Sequence, residues 1–189
     1  MKIGLYFGSF NPIHVGHLII ANHLTNNTDL KQVWMVISPQ NPLKPSATLL
    51  NEYDRLHLLR VAVEGANNLK VSTVEFKLPK PSYTVDTLAY LTEKFPNHEF
   101  AVIMGSDSLC NLPKWKNFEV IIKNHPLYIY NRPGFKVENN IEANITIVDA
   151  PLLEISSTHI RKLIKEGKSI RYLVTDVIKE EIDKNNFYK

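Results

Sequence analysis

Several features that this 189-residue chain lacks narrow the classes of protein to which it can belong. It has a single cysteine, Cys110, which excludes an internal disulfide framework and favours a reducing, cytoplasmic setting. Because Cys110 has no evident base partner in the sequence, we expect a buried structural thiol. No apolar run approaches the roughly 20 residues that a membrane helix needs, so we expect no membrane contact. Repeats and low-complexity stretches are also missing, which argues against repeat architectures.

Charge of either sign is not in large excess. The 22 basic and 19 acidic side chains give a net charge of +3, and the sequence pI is about 8.8. This balance suits a protein that handles anionic nucleotides, although many proteins with other ligands are equally basic, and we expect no nucleic-acid partner. The length and the 44% hydrophobic content predict one domain over residues 1–189, with the last helices, at about 157–185, packed on the sheet.

The pattern of apolar residues predicts an α/β fold. Continuous apolar runs at 3–7, 33–37 and 100–104 are typical of strands buried on both faces of a parallel sheet. Other strand-like stretches lie at 74–78, 127–130 and 145–148, and helical patterns lie at 15–24, 52–63, 85–95, 157–166 and 174–183. We therefore expect a doubly wound, Rossmann-like parallel sheet with C-terminal helices. Such a sheet binds ligands beyond the carboxyl ends of its strands.

The segment after the first strand combines small residues with two histidines. Gly8 and Gly16 let the backbone approach a phosphate, and the following helix start offers unpaired N–H groups with partial positive charge. His14 and His17 are three residues apart, where their imidazole donors could hold the oxygens of a triphosphate. A capping or surface role is the usual interpretation of one such histidine, but the pair between glycines favours phosphate binding. A metal site there lacks a third ligand at an evident spacing.

A second anion site is indicated near the C-terminus. Ser156 and Ser157 belong to an N-cap cluster that opens a helix, and Arg161 follows one turn later on the same side. Alone the cluster is only a cap, but beside a phosphate loop its hydroxyl groups, helix N–H groups and guanidinium can bind the β- and γ-phosphates. Asp107, just after Gly105 at the end of a predicted strand, could cap a helix or accept hydrogen bonds from a ribose diol.

Five segments, taken in order, resemble a known family. The segment GSFNPIHVGHL at 8–18 resembles the first signature of the HxGH nucleotidyltransferase superfamily, and the rest of the chain is similar to its nicotinate-mononucleotide adenylyltransferase branch. The other segments are SPQNPLKP at 38–45, SYTVDTL at 82–88, GSDSL at 105–109 leading to LPKW at 112–115, and ISSTHIR at 155–161. Asn11 stands where the family often has aspartate. Leu43 stands where a histidine commonly precedes the lysine, which leaves Lys44 to bind phosphate alone.

The resemblance implies adenylyl transfer from ATP to nicotinate mononucleotide, which gives deamido-NAD and pyrophosphate. The catalytic residues that it implies are His14, His17, Lys44 and Arg161. The substrate-binding residues that it implies are Gly8, Ser9, Phe10, Tyr83, Thr84, Gly105, Asp107, Trp115, Lys116, Ser156 and Ser157. The expected partners are ATP and a pyridine mononucleotide. Mg²⁺ is expected to arrive mainly on ATP, since substrate phosphates commonly hold this ion.

Alternatives stay open for the acceptor and for the activity itself. Nicotinamide mononucleotide or pantetheine phosphate could be the acceptor, although SYTVDTL and LPKW fit a pyridine nucleotide better. A nucleotide sensor without activity is a further alternative, against which His14, His17 and Arg161 argue. The carboxylate form of the acceptor is favoured because Thr84 opens a helix, where its N–H group lies at the positive end of the helix dipole. Trp115 offers either a stacking face or a core side chain.

Overall fold

The computed structural model describes residues 1–40, 48–132, 134–135, 141–151 and 153–189. Its strands are β1 (Lys2–Gly8), β2 (Gln32–Ile37), β3 (Leu69–Ser72), β4 (Glu99–Gly105), β5 (Leu127–Tyr130) and β6 (Ile145–Val148). They form one sheet in the order β3-β2-β1-β4-β5-β6, and every neighbouring pair is parallel. The strand order reverses between β1 and β4, which is the point where an open α/β sheet binds its ligands.

Helices cover both faces of this sheet. They are α1 (Val15–Asn27), α2 (Glu52–Ala62), α3 (Thr84–Lys94), α4 (Ser106–Cys110), α5 (Phe118–Asn124), α6 (Ser157–Lys165) and α7 (Asp176–Asn185). One apolar cluster joins the sheet to α1, α2, α6 and α7, where Ile160, Ile178 and Ile182 are buried. A second cluster joins the opposite face to α3, α4 and α5. In the described part of the chain, no helix is long and apolar enough to cross a membrane.

The predicted architecture is confirmed, with one strand misplaced. Five predicted strands and all five predicted helices are present, with ends that differ by at most three residues. The strand predicted at 74–78 is wrong, because Val74–Lys77 forms a 3₁₀ helix and the strand lies earlier, at β3. The four-residue β3 carries an exposed Lys70 at the sheet edge, so it lacks a long apolar run. The strand-like pattern at 74–78 is misleading, because Glu75 is buried like the apolar Val74 beside it.

The expectation of a buried thiol at Cys110 is also wrong, since this side chain is exposed. It follows Leu109, which is 4% exposed and packs in the second apolar cluster. Neighbouring residues of a helix point about 100° apart. The helix therefore directs Leu109 inward and Cys110 toward solvent.

Candidate active site

The carboxyl ends of the central strands open onto a cavity of about 690 Å³. We call it the acceptor cavity. Its walls come from the ends of β1, β2 and β4, the start of α3 and the chain between α4 and α5. The expected substrate-binding residues that line it are Gly8, Tyr83, Thr84, Gly105, Asp107, Trp115 and Lys116. Motifs that are far apart in sequence thus meet at the edge of the sheet that the topology indicates.

The loop between β1 and α1, residues 9–14, folds around the side chain of Phe10. This residue is 2% exposed and has a φ of 44°, which is uncommon outside glycine. A Cβ atom on Gly8 would lie 2.8 Å from the Phe10 ring, so the close approach requires glycine. The Phe10 ring packs edge-on against His17, with 5.2 Å between the ring centroids. The Phe10 side chain therefore supports the loop from inside.

His14 and His17 stack at the start of α1, with ring centroids 3.6 Å apart. The backbone N–H of His14 donates to Nδ1 of His17 over 3.3 Å. Because Nδ1 accepts this bond, a neutral His17 ring carries its proton on Nε2, where it can donate. Burial, aided by the positive charge of Arg132, lowers the pKa of His14 to about 4. His14 is therefore neutral at pH 7.

One buried polar atom of this pair lacks a partner. No described residue forms a hydrogen bond with Nδ1 of His14. Gly16 lies directly beside this nitrogen, since a Cβ atom there would be 3.1 Å from it. An unsatisfied buried polar group costs about 1–3 kcal/mol. A ligand that bonded to this nitrogen would remove that cost.

The start of α6 lies against the same loop. Ser156 caps α6 by accepting a hydrogen bond from a first-turn N–H group. Ser157 Oγ donates to the carbonyl of Pro12 over 2.8 Å, and Nη1 of Arg161 donates to the carbonyl of Asn11 over 2.7 Å. The two anion sites expected from the sequence therefore adjoin one loop. We call His14, His17, Ser157 and Arg161 the phosphate cluster.

Backbone donors mark the other end of the site. The N–H groups of Thr84, the first residue of α3, and of Lys116 donate to no acceptor in the described part of the chain. The Lys116 ammonium group is engaged elsewhere, 2.9 Å from a carboxylate oxygen of Asp86 and 4.7 Å from the centroid of the Tyr83 ring. Trp115 is half-buried, lines the acceptor cavity and also packs on the second apolar cluster, so the core role is present and one part of the ring faces the cavity wall.

Gly105 and Asp107 form a further wall together with Arg132. A Cβ atom on Gly105 would collide with the Asp107 carboxylate and lie 3.1 Å from Cγ of Arg132. Nε of Arg132 is 3.8 Å from Oδ1 of Asp107, and its guanidinium lies over the Tyr130 ring, 5.6 Å from the centroid. The Asp107 side chain keeps 41% of its surface exposed. It is accessible to a hydroxyl ligand.

The sequence-based prediction missed Arg55, which is fully buried. Its guanidinium donates to the carbonyls of Ser9, Ser38, Pro39 and Leu50 at distances of 2.7 to 3.0 Å. Among the described residues no carboxylate pairs with it, and burial lowers its pKa. The available signal was its position three residues before Leu58, on the buried face of α2.

Glu75 and Arg132 were missed as well. Glu75 is 2% exposed and lines the acceptor cavity. A carboxylate inside the short apolar run at 74–78 was the available signal. Arg132 follows the carboxyl end of β5, so the rule that places ligands beyond strand ends could have identified it.

One expected catalytic residue, Lys44, lies outside the described residues, as does all of 41–47. Within the described ranges, no group of three or more histidine, cysteine, aspartate or glutamate side chains is arranged to hold a metal ion. The stacked pair of His14 and His17 therefore gains no third protein ligand there.

Known proteins resemble this chain over nearly its whole length. The model of the family described as cytidylyltransferase-like matches residues 5–163. A Flavobacterium johnsoniae protein named "probable nicotinate-nucleotide adenylyltransferase" is 55% identical over 192 residues, covering 100% of both chains. A Bacteroides fragilis protein of the same name is 41% identical over 182 residues, covering 96% of this chain and 90% of its own.

A solved structure shares the fold. Plasmodium falciparum nicotinic acid mononucleotide adenylyltransferase complexed with NaAD matches with a TM-score of 0.85, covering 99% of this chain and 97% of that one, at 22% identity. Membership of the family is shown by the match to the family model and by the full-length identity to the curated relatives. The resemblance carried by the five motifs is thereby confirmed. The chain belongs to the cytidylyltransferase-like family and, within it, to the nicotinate-nucleotide adenylyltransferases.

Proposed function

We propose that the protein transfers the adenylyl group of ATP to nicotinate mononucleotide, giving deamido-NAD and pyrophosphate. The observation that carries this proposal is a site in two parts. The phosphate cluster adjoins the loop after β1, and the acceptor cavity is lined by Thr84 and Lys116, whose backbone N–H groups donate to no acceptor among the described residues. Gly8 ends β1, lines the cavity and begins the loop, so the two substrates would meet beside it.

The reaction needs alignment more than acid–base chemistry. A phosphate oxygen of the mononucleotide, already an anion at neutral pH, attacks the α-phosphorus of ATP. The new P–O bond forms as the bond to the β-phosphate oxygen breaks, and pyrophosphate leaves on the far side. The nucleophile has no proton to lose. Catalysis then consists of holding the phosphates in line and stabilising charge on the transferring and leaving groups.

The phosphate cluster is assigned to that stabilisation. His14 and His17 act on the α- to γ-phosphates, with His17 donating through Nε2 and His14 acting as a neutral ring. Arg161 and Lys44 supply positive charge, and Ser157 with the N-terminal N–H groups of α6 serves the terminal phosphates. Nη1 of Arg161 and the single hydroxyl proton of Ser157 donate to loop carbonyls. Arg161 would therefore bind phosphate through its other N–H groups, whereas the Ser157 hydroxyl would have to turn away from the Pro12 carbonyl to do so.

The loop after β1 and the wall at β4 are assigned to the rest of ATP. Gly8, Ser9 and Phe10 shape the loop so that its backbone can approach the nucleotide. Beside Gly105, Asp107 would accept hydrogen bonds from the ribose diol through its exposed carboxylate. Ser156 contributes by capping α6 and keeping its start ordered.

The acceptor carboxylate is assigned to the N–H groups of Thr84 and Lys116. The first of these lies at the N-terminus of α3, where a carboxylate is favoured over a neutral amide. Trp115 would stack on the pyridine ring, and the Tyr83 ring completes the wall. A hydrogen bond to a charged group contributes about 1.5–3 kcal/mol against about 1 for a neutral one. Two such differences amount to roughly ten- to several-hundred-fold in kcat/KM.

Mg²⁺ enters this proposal as an ion carried by ATP. A magnesium ion held by substrate phosphates and water needs few protein ligands, so the donor set of the described residues is compatible with it. When bound, the ion would neutralise charge on the phosphates that become pyrophosphate. The positively charged side chains of this chain, Arg161 above all, would stabilise the same negative charge on the phosphates.

A pyrophosphate-release assay with ATP and a panel of phosphorylated acceptors tests the proposal. Competing nicotinate and nicotinamide mononucleotides for limiting enzyme, with ATP saturating, should give the ratio of roughly ten- to several-hundred-fold derived above. Equal use of both, or preference for the nicotinamide form, would contradict the carboxylate site. Release only with phosphopantetheine would contradict the acceptor class, and nucleotide binding without release would indicate a sensor.

A further inference from the structure

Glu75 is a buried carboxylate in the wall of the acceptor cavity, and the proposed reaction gives it no role. It lies in the 3₁₀ helix Val74–Lys77 and is 2% exposed. Its hydrogen-bond partners are hydroxyl groups, and among the described residues no cation pairs with it. A carboxylate in such surroundings destabilises a fold unless hydrogen bonds compensate. A buried ionisable group of this kind in a ligand cavity is a candidate functional group.

The hydrogen bonds of Glu75 hold both sides of the turn that begins α3. Ser82 Oγ donates to Oε2 of Glu75 over 2.6 Å, and Thr87 Oγ1 donates to Oε1 over 3.0 Å. Ser82 precedes Thr84 and Thr87 follows it, and both are buried. The two oxygens of one carboxylate therefore fix the segment that presents the Thr84 N–H group.

A third segment adds to this arrangement at the end of β2. The Ser38 hydroxyl lies close enough to Glu75 to lower its pKa, although burial outweighs all the hydroxyl contacts and raises it overall. Ser38 also lines the acceptor cavity, and its carbonyl accepts a hydrogen bond from Arg55. Glu75 thus lies where the end of β2 meets the start of α3.

We infer that Glu75 is a positioning residue for acceptor selection. Through Ser82 and Thr87 it directs the Thr84 N–H group into the cavity. The inference rests on the proposed function, because it concerns the same carboxylate of the acceptor. A displacement of about 1 Å can cost on the order of a hundredfold in a well-aligned reaction. Loss of the anchor should therefore harm nicotinate mononucleotide more than the nicotinamide form, and ATP least.

The charge of Glu75 and its hydrogen bonds predict opposite results for Glu75→Gln. An ionised carboxylate in the wall disfavours a second carboxylate nearby, so an effect of charge alone would increase the preference for nicotinate mononucleotide. An anchoring role predicts a decrease, because glutamine offers one acceptor oxygen in place of two. One of the two hydroxyls must then accept from the amide NH2 and donate elsewhere, as Thr87 can to the Tyr83 carbonyl, which shifts the turn that begins α3. The inference commits to the decrease.

The experiment compares wild type with Glu75→Gln, Ser82→Ala and Thr87→Val. It measures kcat/KM for both mononucleotides, KM for ATP, and the thermal midpoint. Glu75→Gln should lower the nicotinate-to-nicotinamide ratio at least about fivefold and raise KM for nicotinate mononucleotide about tenfold, with KM for ATP within about threefold. Each hydroxyl variant should reproduce part of the loss. Glu93→Gln removes an exposed carboxylate of α3 and should match wild type.

Two results overturn the inference. One is an unchanged or increased ratio in folded Glu75→Gln, and the other is an equal rise of KM for ATP and for the acceptor, which indicates a structural role only. If Glu75→Gln does not fold, unchanged ratios in both Ser82→Ala and Thr87→Val overturn it as well. Failure of the proposed function looks different, because wild type itself would then show no preference for nicotinate mononucleotide.

Discussion

The two ends of the site rely on different parts of the chain. In the proposed site the phosphate cluster would act through side chains, and His14, His17 and Arg161 are held by ring stacking and by hydrogen bonds with the loop backbone. The acceptor end offers the backbone N–H groups of Thr84 and Lys116. Removing a side chain of the phosphate cluster therefore removes a group that is proposed to bind phosphate. At the acceptor end most substitutions leave the backbone N–H group in place, and only its position can change.

Each end also contains a buried ionisable side chain without an ion-pair partner among the described residues. On the phosphate side it is Arg55, which donates to the carbonyl of Ser9 in the loop after β1. On the acceptor side it is Glu75, held by hydroxyl groups. A cation complements a triphosphate, whereas a carboxylate does not complement nicotinate. Charge can therefore serve the first end directly, while the second end depends on geometry.

The largest expected effect is at the phosphate cluster. His17→Ala should lower kcat by roughly two to three orders of magnitude, the cost of removing one preorganised transition-state donor. The thermal midpoint should change little, because His17 is half-buried and its neighbours Phe10 and His14 keep the loop packed. Steady-state kinetics and thermal melts check both parts. A near-normal kcat in well-folded protein would remove His17 from the mechanism.

A double variant sharpens this prediction. If Arg161 and His17 stabilise the same leaving group, His17→Ala with Arg161→Ala should lose less than the sum of the two single losses in free energy. Ser157 Oγ and Arg161 both bond to the loop that leads into α1, the helix that carries His17, which makes such coupling expected. Fully additive losses would place Arg161 outside this function.

The sequence predicted the strands whose burial on both faces produces a continuous apolar run. β1 and β4 lie at the centre of the sheet and read as continuous apolar runs, whereas the edge strand β3 does not. The phosphate cluster could be predicted because His14 and His17 form a compact motif, and its binding of phosphate stays a prediction. Arg55 and Glu75 were not, since their roles come from tertiary contacts. Arg55 bonds to a carbonyl 46 residues away, and Glu75 to hydroxyls 7 and 12 residues away.

A further prediction concerns the pH dependence of stability at the phosphate cluster. The pKa of His14 is lowered from 6.5 to about 4 in the folded protein, chiefly by burial. Between these values the unfolded chain binds the extra proton, so stability is full above pH 6.5 and falls as the pH drops toward 4. The loss amounts to at most on the order of 3 kcal/mol. Chemical denaturation from pH 4.5 to 7 measures it.

A matched pair of variants separates this contribution from the rest of the acid sensitivity. His14→Gln should flatten the slope of unfolding free energy against pH in that window. His159→Gln should leave it unchanged, because His159 is exposed. If His14→Gln keeps the wild-type slope, the buried imidazole is not its source.

The smallest expected effect tests the backbone donor at the acceptor end. Thr84→Pro deletes the N–H group, and proline suits the first position of a helix, where that group has no intrahelical acceptor. Tyr83 already has the extended backbone, φ −118° and ψ 139°, that a residue before proline prefers. Competition assays should show the nicotinate preference falling roughly tenfold, the difference between one charged and one neutral hydrogen bond. Thr84→Ala keeps the donor and should stay within about twofold of wild type. A folded Thr84→Pro enzyme with undiminished preference would show that the acceptor carboxylate is bound elsewhere.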